Sequence, residues 1–284
     1  DEARQEALAL KPNEDGVFRV DLTTGKANVL VSIEAIAEKF TTLRGIASQR
    51  YYIQHCWWNP SGTRFIFYLR VLEGSGEFTT HLLCADEDGG ELFLFPESAM
   101  YSHLAWRSDD EFSIWSSQPT AALVAYQRIR TGNSKLVRSV ARALRTILLP
   151  RNRAPAISHH TRAGYYTMRC YSREKTAFAR DLLQQDGHPS WCLEGHVLCA
   201  DTYEDEASCR EVFMYDAISH RKVTVARFYS PFNRCGYRCD LHPRVTADGK
   251  SIVIDSAHTG RRQLYVLAVD RNVDLFSTDR EPQA

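Results

Sequence analysis

The sequence predicts an all-β fold: a β-propeller of about five recognisable blades, forming one domain over residues 1–284, with a basic helical insertion at 118–160. Three observations predict it. A short motif occurs four times, each copy continues into an apolar strand, and two of the three spacings are close to the ~40–50 residues of known blade repeats.

Each copy of the motif has His first, a bulky apolar residue three positions later, and Gly or Asp seven positions later. The copies begin at His55, His103, His188 and His242, with spacings of 48, 85 and 54 residues. Each copy leads into a short apolar run, as at residues 65–67 and 252–254. Strand, polar turn and strand predict a β-hairpin, and two hairpins supply the four strands of a blade.

Composition excludes several classes of protein. An apolar content of 44% is sufficient for a packed core, which excludes a disordered chain. No run approaches the ~20 apolar residues of a membrane-spanning helix. The 35 basic and 35 acidic side chains give a net charge of zero, which argues against a general binder of polyanions and predicts no specific nucleic-acid partner.

The eight cysteines are scattered and form no Cys-x-x-Cys pair. Disulfide frameworks are typical of small secreted domains, and zinc ribbons need closer pairing. We therefore expect buried, reduced thiols in a cytoplasmic protein. Cys235 and Cys239, four residues apart, are the pair with the most suggestive spacing.

The repeated histidine predicts a site at one mouth of the propeller. Equivalent positions at the start of equivalent strands lie on one ring around a propeller axis, so the imidazoles would converge there. Converging neutral imidazoles suit a divalent metal ion. The alternative is that the repeat carries a structural His that hydrogen-bonds a turn.

The insertion is strongly basic. From Phe112 to Arg173, both included, there is no Asp or Glu, although eleven Lys or Arg occur. Residues 134–149 have helical periodicity, with Leu136, Val140 and Leu144 on one face and arginines elsewhere. Such a helix predicts a polyanion or membrane-surface contact through residues 128–153, or alternatively a lid that packs on the propeller.

Several segments together resemble bacterial propellers related to oligogalacturonate lyases. They are Asp186-Gly-His-Pro-Ser-Trp191, Asp201-Thr-Tyr203, Arg238-Cys-Asp-Leu-His-Pro243, and Ser102-His-Leu-Ala-Trp106. The resemblance covers roughly residues 15–117 and 163–270. It implies a seven-bladed fold, so we expect blades on the N-terminal side to be missing from this chain.

The resemblance also implies a divalent metal, typically Mn²⁺, held by histidines. His103 and His242 match ligand positions, and Asp240 stands where the lyases have a further His. Asp is a ligand for Mn²⁺ or Mg²⁺ as well. The repeat adds His188 to the predicted metal ligands, which are then His103, His188, Asp240 and His242.

The implied reaction is β-elimination on a uronate in an acidic oligosaccharide, in which a base removes the C5 proton and the C4–O bond breaks. The His that serves the lyases as base has no counterpart in this chain, which leaves His55, Tyr68 or Arg70 as candidates. Arg238 and Arg244 are predicted to bind substrate carboxylates. The competing hypothesis is a non-catalytic propeller scaffold for protein or polyanion interaction.

Overall fold

The computed structural model describes residues 13–40, 50–72, 78–96, 98, 100–117, 163–231, 238–246 and 249–269. Within these ranges the chain forms strands β1 to β17, one α-helix and a short 3₁₀ turn. The prediction of an all-β fold is therefore confirmed for this part of the chain. The insertion at 118–160, its helix at 134–149, the contact segment 128–153 and Cys235 lie outside the described residues.

The chain divides into two compact units. Unit 1 comprises residues 1–101 and 169–174, and unit 2 comprises residues 102–168 and 175–284. The single domain over 1–284 stays a prediction.

Unit 1 begins with a two-stranded antiparallel sheet and a helix. Strands β1 and β2 span Gly16–Val20 and Ala27–Ser32, and helix α1 spans Ile33–Lys39. Ser32 caps the helix, because its Oγ accepts a hydrogen bond from the backbone N–H of Ala35 at 3.0 Å. Ile33 and Ile36 face inward and join the core of unit 1.

The second sheet of unit 1 has four antiparallel strands in sequential order. Strands β3 to β6 span Arg50–Trp58, Arg64–Leu72, Phe78–Asp86 and Phe93–Leu94. Strand β4 is almost entirely buried, which matches its run of apolar residues. A β-bulge between Gln54 and Cys56 places His55 in the left-handed region at φ 56°, so this strand is bent at its histidine.

The sheets of unit 2 also follow sequence order. Strands β7 to β10 form one four-stranded sheet, at Tyr101–Trp106, Glu111–Ser116, Gly164–Arg169 and Lys175–Ala177. Strands β11 to β14 form another, at Ser190–Cys192, Val197–Asp201, Cys209–Asp216 and Arg221–Tyr229. Strands β15 to β17 form a three-stranded sheet, at Arg244–Val245, Ser251–Ser256 and Gln263–Ala268.

Four of these sheets have the strand order of β-propeller blades, in which consecutive strands are neighbours. The predicted hairpins after each motif His are present, for example β3–β4 and β15–β16. Apolar side chains of β12, β13 and β16 pack into one core cluster, so the last two sheets of unit 2 are joined face to face. The total of about five blades, and the seven-bladed fold that the sequence resemblance implies, stay predictions.

Two further observations concern the environment of the chain. The seven cysteines in the described ranges are free thiols, and Cys84, Cys199 and Cys239 are buried. Among the described residues, no helix is long and apolar enough to cross a bilayer. The predicted compartment stays a prediction.

Candidate functional site

Three of the four motif histidines meet in unit 2. His103 lies on β7, His188 lies two residues before β11, and His242 lies two residues before β15. The ring centroids of His103 and His188 are 4.1 Å apart, as are those of His188 and His242. Because each His comes from the start of a different sheet, the repeat brings the three imidazoles into one cluster.

Each imidazole has a carboxylate beside its Nδ1 atom. The distance is 2.9 Å from His188 to Asp201, 3.1 Å from His103 to Asp186, and 3.6 Å from His242 to Asp255. The first two are hydrogen bonds that favour a proton on Nδ1, while the third is longer than a hydrogen bond. With Nδ1 protonated, Nε2 carries the lone pair, which is the usual state of a metal-binding imidazole.

Asp201 fixes two of the three histidines. Its carboxylate is 1% exposed and accepts hydrogen bonds from the backbone N–H of His188 at 2.6 Å and from its ring. It also accepts from the backbone N–H groups of Leu241 at 3.1 Å and His242 at 3.2 Å. One buried carboxylate therefore connects residues that precede two successive sheets.

The strand register explains why these residues meet. Ser190 pairs with Cys199 in β11–β12, so His188 and Asp201 stand opposite each other just beyond the paired residues of β11. His242 and Asp255 have the same relation, beside the pair Arg244 and Val253. The signal in the sequence is an Asp thirteen residues after His188 and after His242, which lies beyond the turn at which the repeated motif ends.

Asp240 completes a group of potential metal ligands. One nitrogen each of His188 and His242 and one oxygen of Asp240 lie within 4.8 Å of one another. The Nε2 atom of His188 is 3.9 Å from Oδ2 of Asp240. Two imidazole nitrogens and a carboxylate oxygen are a donor set that suits a divalent first-row ion. His103 lies beside this group but outside it.

Asp240 and His242 reach the site through an irregular stretch of backbone. Side chains two residues apart point the same way on a strand, but these two residues are not on one. The structure has residues 238–243 outside any strand, with β15 beginning at Arg244. His242 has φ 43°, a left-handed conformation that is strained for a residue with a Cβ atom. The backbone turn, rather than strand alternation, brings the two side chains together.

Asp240 is already paired with two arginines. Its oxygens contact Arg238 at 2.6, 2.9 and 2.6 Å, and Arg210 at 2.5 Å. Arg210 is 1% exposed and also contacts Glu204 at 2.6 Å. Burial raises the pKa of the Asp240 carboxyl, but the hydrogen bond from Arg238 and the charge of Arg210 outweigh it and hold the pKa below its ordinary value.

Tyr203 lies under the same cluster. Its ring centroid is 4.6 Å from the guanidinium carbon of Arg238. The centroids of His103 and His188 are 6.3 and 6.1 Å away, which is near the upper limit for an aromatic contact. Burial raises the pKa of Tyr203 to about 12, and nearby Asp186 adds to the effect. A phenol with that pKa is protonated at neutral pH, which argues against a role for Tyr203 as a base.

The other predicted site residues have different surroundings. His55 belongs to unit 1, where its ring stacks on Trp57 with centroids 5.1 Å apart. Arg70, in β4 of unit 1, stacks on the ring of Phe78 at 4.2 Å. Arg244 is exposed at the start of β15, and its Nη1 donates to the carbonyl of Pro243. Their predicted roles as catalytic and substrate-binding residues stay predictions.

The sequence matches no protein-family model and no curated protein. Among solved structures, an oligogalacturonate lyase in complex with manganese is 13% identical with a TM-score of 0.46, and the match covers 92% of this chain and 73% of that one. A TolB-like protein of Agrobacterium tumefaciens is 12% identical with a TM-score of 0.44, and the match covers 90% of this chain and 68% of that one. The β-propeller domain of the Trilobed protease from Pyrococcus furiosus is 7% identical with a TM-score of 0.42, over 78% and 55%. A function for this chain must therefore be argued from the residues of its site.

Proposed function

We propose that this chain is a lyase-like propeller that uses a divalent metal ion to bind uronate-containing oligosaccharides and to cleave them by β-elimination. The observation that carries the proposal is the group of His188, Asp240 and His242, whose nitrogen and oxygen atoms lie within 4.8 Å of one another. The two histidines are held by the buried carboxylate of Asp201. The lyase chemistry itself rests on the resemblance of the sequence motifs.

The three side chains would hold Mn²⁺ or a similar ion. Such an ion, when bound, neutralises the carboxylate of a uronate, which makes the neighbouring C5 proton more acidic. Asp201 has a supporting role in this arrangement, because its hydrogen bonds fix the tautomer and the orientation of His188.

The proton at C5 needs a base. In unit 2, His103 lies outside the ligand group, and its Nδ1 is held by Asp186, which also accepts a 2.6 Å hydrogen bond from Ser102. Its Nε2 lone pair is therefore suited to accept the proton. We propose His103 as the base within the cluster. It is a further candidate, in addition to His55 and Arg70, which the sequence indicates. Loss of the C5 proton and of the C4–O bond yields a 4,5-unsaturated uronate and a shorter sugar.

Arginines of the site would bind the remaining carboxylates of the substrate. Arg238 is half-exposed, and its guanidinium has the planar geometry that pairs with a carboxylate through two hydrogen bonds. Arg244 is exposed close to His242 in the sequence. Both are proposed to select anionic sugars over neutral ones.

The test is the ultraviolet absorbance of 4,5-unsaturated uronate, recorded with trigalacturonate in the presence of Mn²⁺ or of a chelator. We expect product with Mn²⁺ and none with the chelator. His103→Ala should abolish product while it leaves metal binding intact, whereas loss of product in His55→Ala would assign the base to His55. Absence of product under every condition would contradict the proposed catalysis.

One observation favours a second candidate function. The ion pairs of Asp240 with Arg210 and Arg238 form a closed network that needs no ligand, as expected of a non-catalytic scaffold. In that case the basic segment 128–153 would be the binding element, for a polyanion or a membrane surface. Deletion of residues 121–160 would then weaken binding to anionic vesicles in a salt-dependent way, while the lyase assay would show no product.

A further inference from the structure

We propose that Arg238 is a displaceable counter-ion in the site: its guanidinium holds Asp240 while no divalent cation is bound, and a bound cation releases it to take up a carboxylate of the substrate. This inference rests on the proposed function. It assigns Arg238 two alternative partners, and it makes the binding of metal and of anionic sugar mutually dependent.

The two arginines contact the oxygens of Asp240 differently. Arg210 contacts Oδ1, through its Nη1 at 2.5 Å. Arg238 contacts both oxygens, and its Nη2 lies 2.6 Å from Oδ2. Oδ2 is also the atom that is 3.9 Å from Nε2 of His188. The oxygen that a cation would share with His188 is therefore the one that Arg238 occupies.

The two arginines also differ in their freedom to leave. Arg210 is 1% exposed, contacts Glu204 as well, and donates from Nε to Ser230. It is fixed by the fold, because moving it would take this buried counter-charge from Glu204 and leave Asp240 with Arg238 alone. Arg238 is 48% exposed, and it contacts Asp240 and the ring of Tyr203. Its guanidinium can enter solvent, and Asp240 then still has Arg210 as its counter-ion.

Charge gives the direction of the exchange. Arg210 and Arg238 together balance the charges of Glu204 and Asp240, so this group of four side chains is neutral before a cation binds. A divalent ion beside Asp240 would add two positive charges close to both guanidinium groups, and like charges in a partly buried site repel strongly. Release of Arg238 lowers this repulsion and leaves a free guanidinium next to the cation, where a substrate carboxylate can bind both.

The exchange has a thermodynamic consequence. Metal binding that frees Arg238 raises the affinity for the sugar by some factor. Bound sugar must then raise the affinity for the metal by the same factor. The arginine would thus keep the site in a closed, neutralised state until a cation arrives.

The experiment measures how fast phenylglyoxal modifies individual arginines of the full chain, with Mn²⁺ alone as the probe. Peptide mass spectrometry follows Arg238, with Arg227 as internal control, because Arg227 is a half-exposed arginine in an ion pair with Asp205. We expect the rate at Arg238 to rise severalfold at saturating Mn²⁺ and the rate at Arg227 to stay constant. Calorimetry on the same sample shows whether Mn²⁺ is bound.

A variant provides the second measurement. Arg238→Gln should bind Mn²⁺ about tenfold more tightly than the unmodified chain, since the competing charge is gone, whereas Arg227→Gln should bind it equally. If Mn²⁺ binds but neither the rate at Arg238 nor the affinity of Arg238→Gln changes, the inference is wrong and the proposed function stands. If calorimetry detects no Mn²⁺ binding in either protein, the proposed function is wrong and the inference with it.

Discussion

His188 and Asp201 face each other across the first two strands of their sheet, with Nδ1 of the imidazole 2.9 Å from Oδ1 of the carboxylate. The same carboxylate accepts backbone hydrogen bonds from Leu241 and His242, which precede the next sheet. A single buried side chain therefore sets the position of two potential metal ligands. Because Asp201 contacts residues before two different sheets, the geometry of the site depends on how these sheets of unit 2 pack as well as on the ligand side chains.

Asp201→Asn should damage both the fold and the site. The carboxylate of Asp201 accepts from three backbone N–H groups and from the ring of His188. An amide has one acceptor oxygen in place of two, and its NH₂ group would face N–H donors. We expect the free energy of unfolding to fall by about 2–3 kcal/mol in urea denaturation, and metal affinity to fall roughly 10- to 100-fold in calorimetry. Asp255→Asn is the matched control, since its contact with His242 is 3.6 Å long. Equal losses in the two variants would contradict the special position of Asp201.

The sequence could predict the hairpins and the three clustered histidines, because both follow from a repeat that can be read directly. His55 shares the motif, yet a β-bulge and a place in unit 1 give it different neighbours. A bulge inserts one residue into a ladder and leaves no simple signal in the pattern of apolar residues. The motif therefore predicted the fold of β3–β4 but gave no guide to the surroundings of His55.

The charged side chains that surround the imidazoles and Asp240 are harder to predict from the sequence. Asp186, Asp201 and Asp255 reach the imidazoles because strand register and the neighbouring blade place them there. The pairing of Asp240 with Arg210 connects residues thirty positions apart, one on β13 and the other in the segment before β15. Such contacts depend on how blades pack, and the spacing of residues within one repeat does not specify them.

Arg210→Met should lower stability more than removal of an exposed arginine. Without the guanidinium, Glu204 and Asp240 lose a buried counter-charge. We expect the free energy of unfolding to fall by about 3 kcal/mol. Arg227→Met removes an exposed pair with Asp205 and should cost less than about 1 kcal/mol. Urea denaturation of the two variants provides the comparison, and similar small losses in both would show that Arg210 is not needed as a counter-charge.

Gly187→Ala should disturb the site through the backbone. A Cβ atom at this position would lie 1.9 Å from the carbonyl oxygen of Asp201 and 3.0 Å from its Oδ1. The strand that carries Asp201 would have to shift, so we expect a large fall in melting temperature together with loss of metal binding. Gly62→Ala is the control: φ is +73°, but no atom beyond the two adjacent residues lies within 4 Å of the added Cβ. It should cost only about 1 kcal/mol for the left-handed backbone.

Lys175 should make stability depend on pH above neutrality. Its ammonium donates to Ser116 and Ser117, and burial lowers the pKa of Lys175 from 10.5 to about 8. Between about pH 8 and 10.5 the unfolded chain keeps this proton and the folded chain has lost it, so the contribution of Lys175 to stability rises with pH in that window.

The measurement is urea denaturation from pH 7.5 to 10.5, comparing the unmodified chain with Lys175→Met. As pH rises, the unfolding free energy of the unmodified chain should increase relative to that of Lys175→Met. Buried thiols such as Cys199, whose pKa burial raises, act in the opposite direction, but they are common to both proteins. A difference that is independent of pH would contradict the lowered pKa of Lys175.

The central claim is that His188, Asp240 and His242 form a binding site for a divalent metal ion. Calorimetric titration of the full chain with Mn²⁺ tests it most directly, with His188→Ala, His242→Ala and the control His220→Ala. His220 is a suitable control because it lies in the same unit and contacts Tyr215 and Asp181 instead. We predict one Mn²⁺ per chain for the unmodified protein and for His220→Ala, and none for the other two variants while their circular dichroism stays unchanged. No heat of binding in the unmodified protein, or equal binding in all four proteins, would contradict the claim.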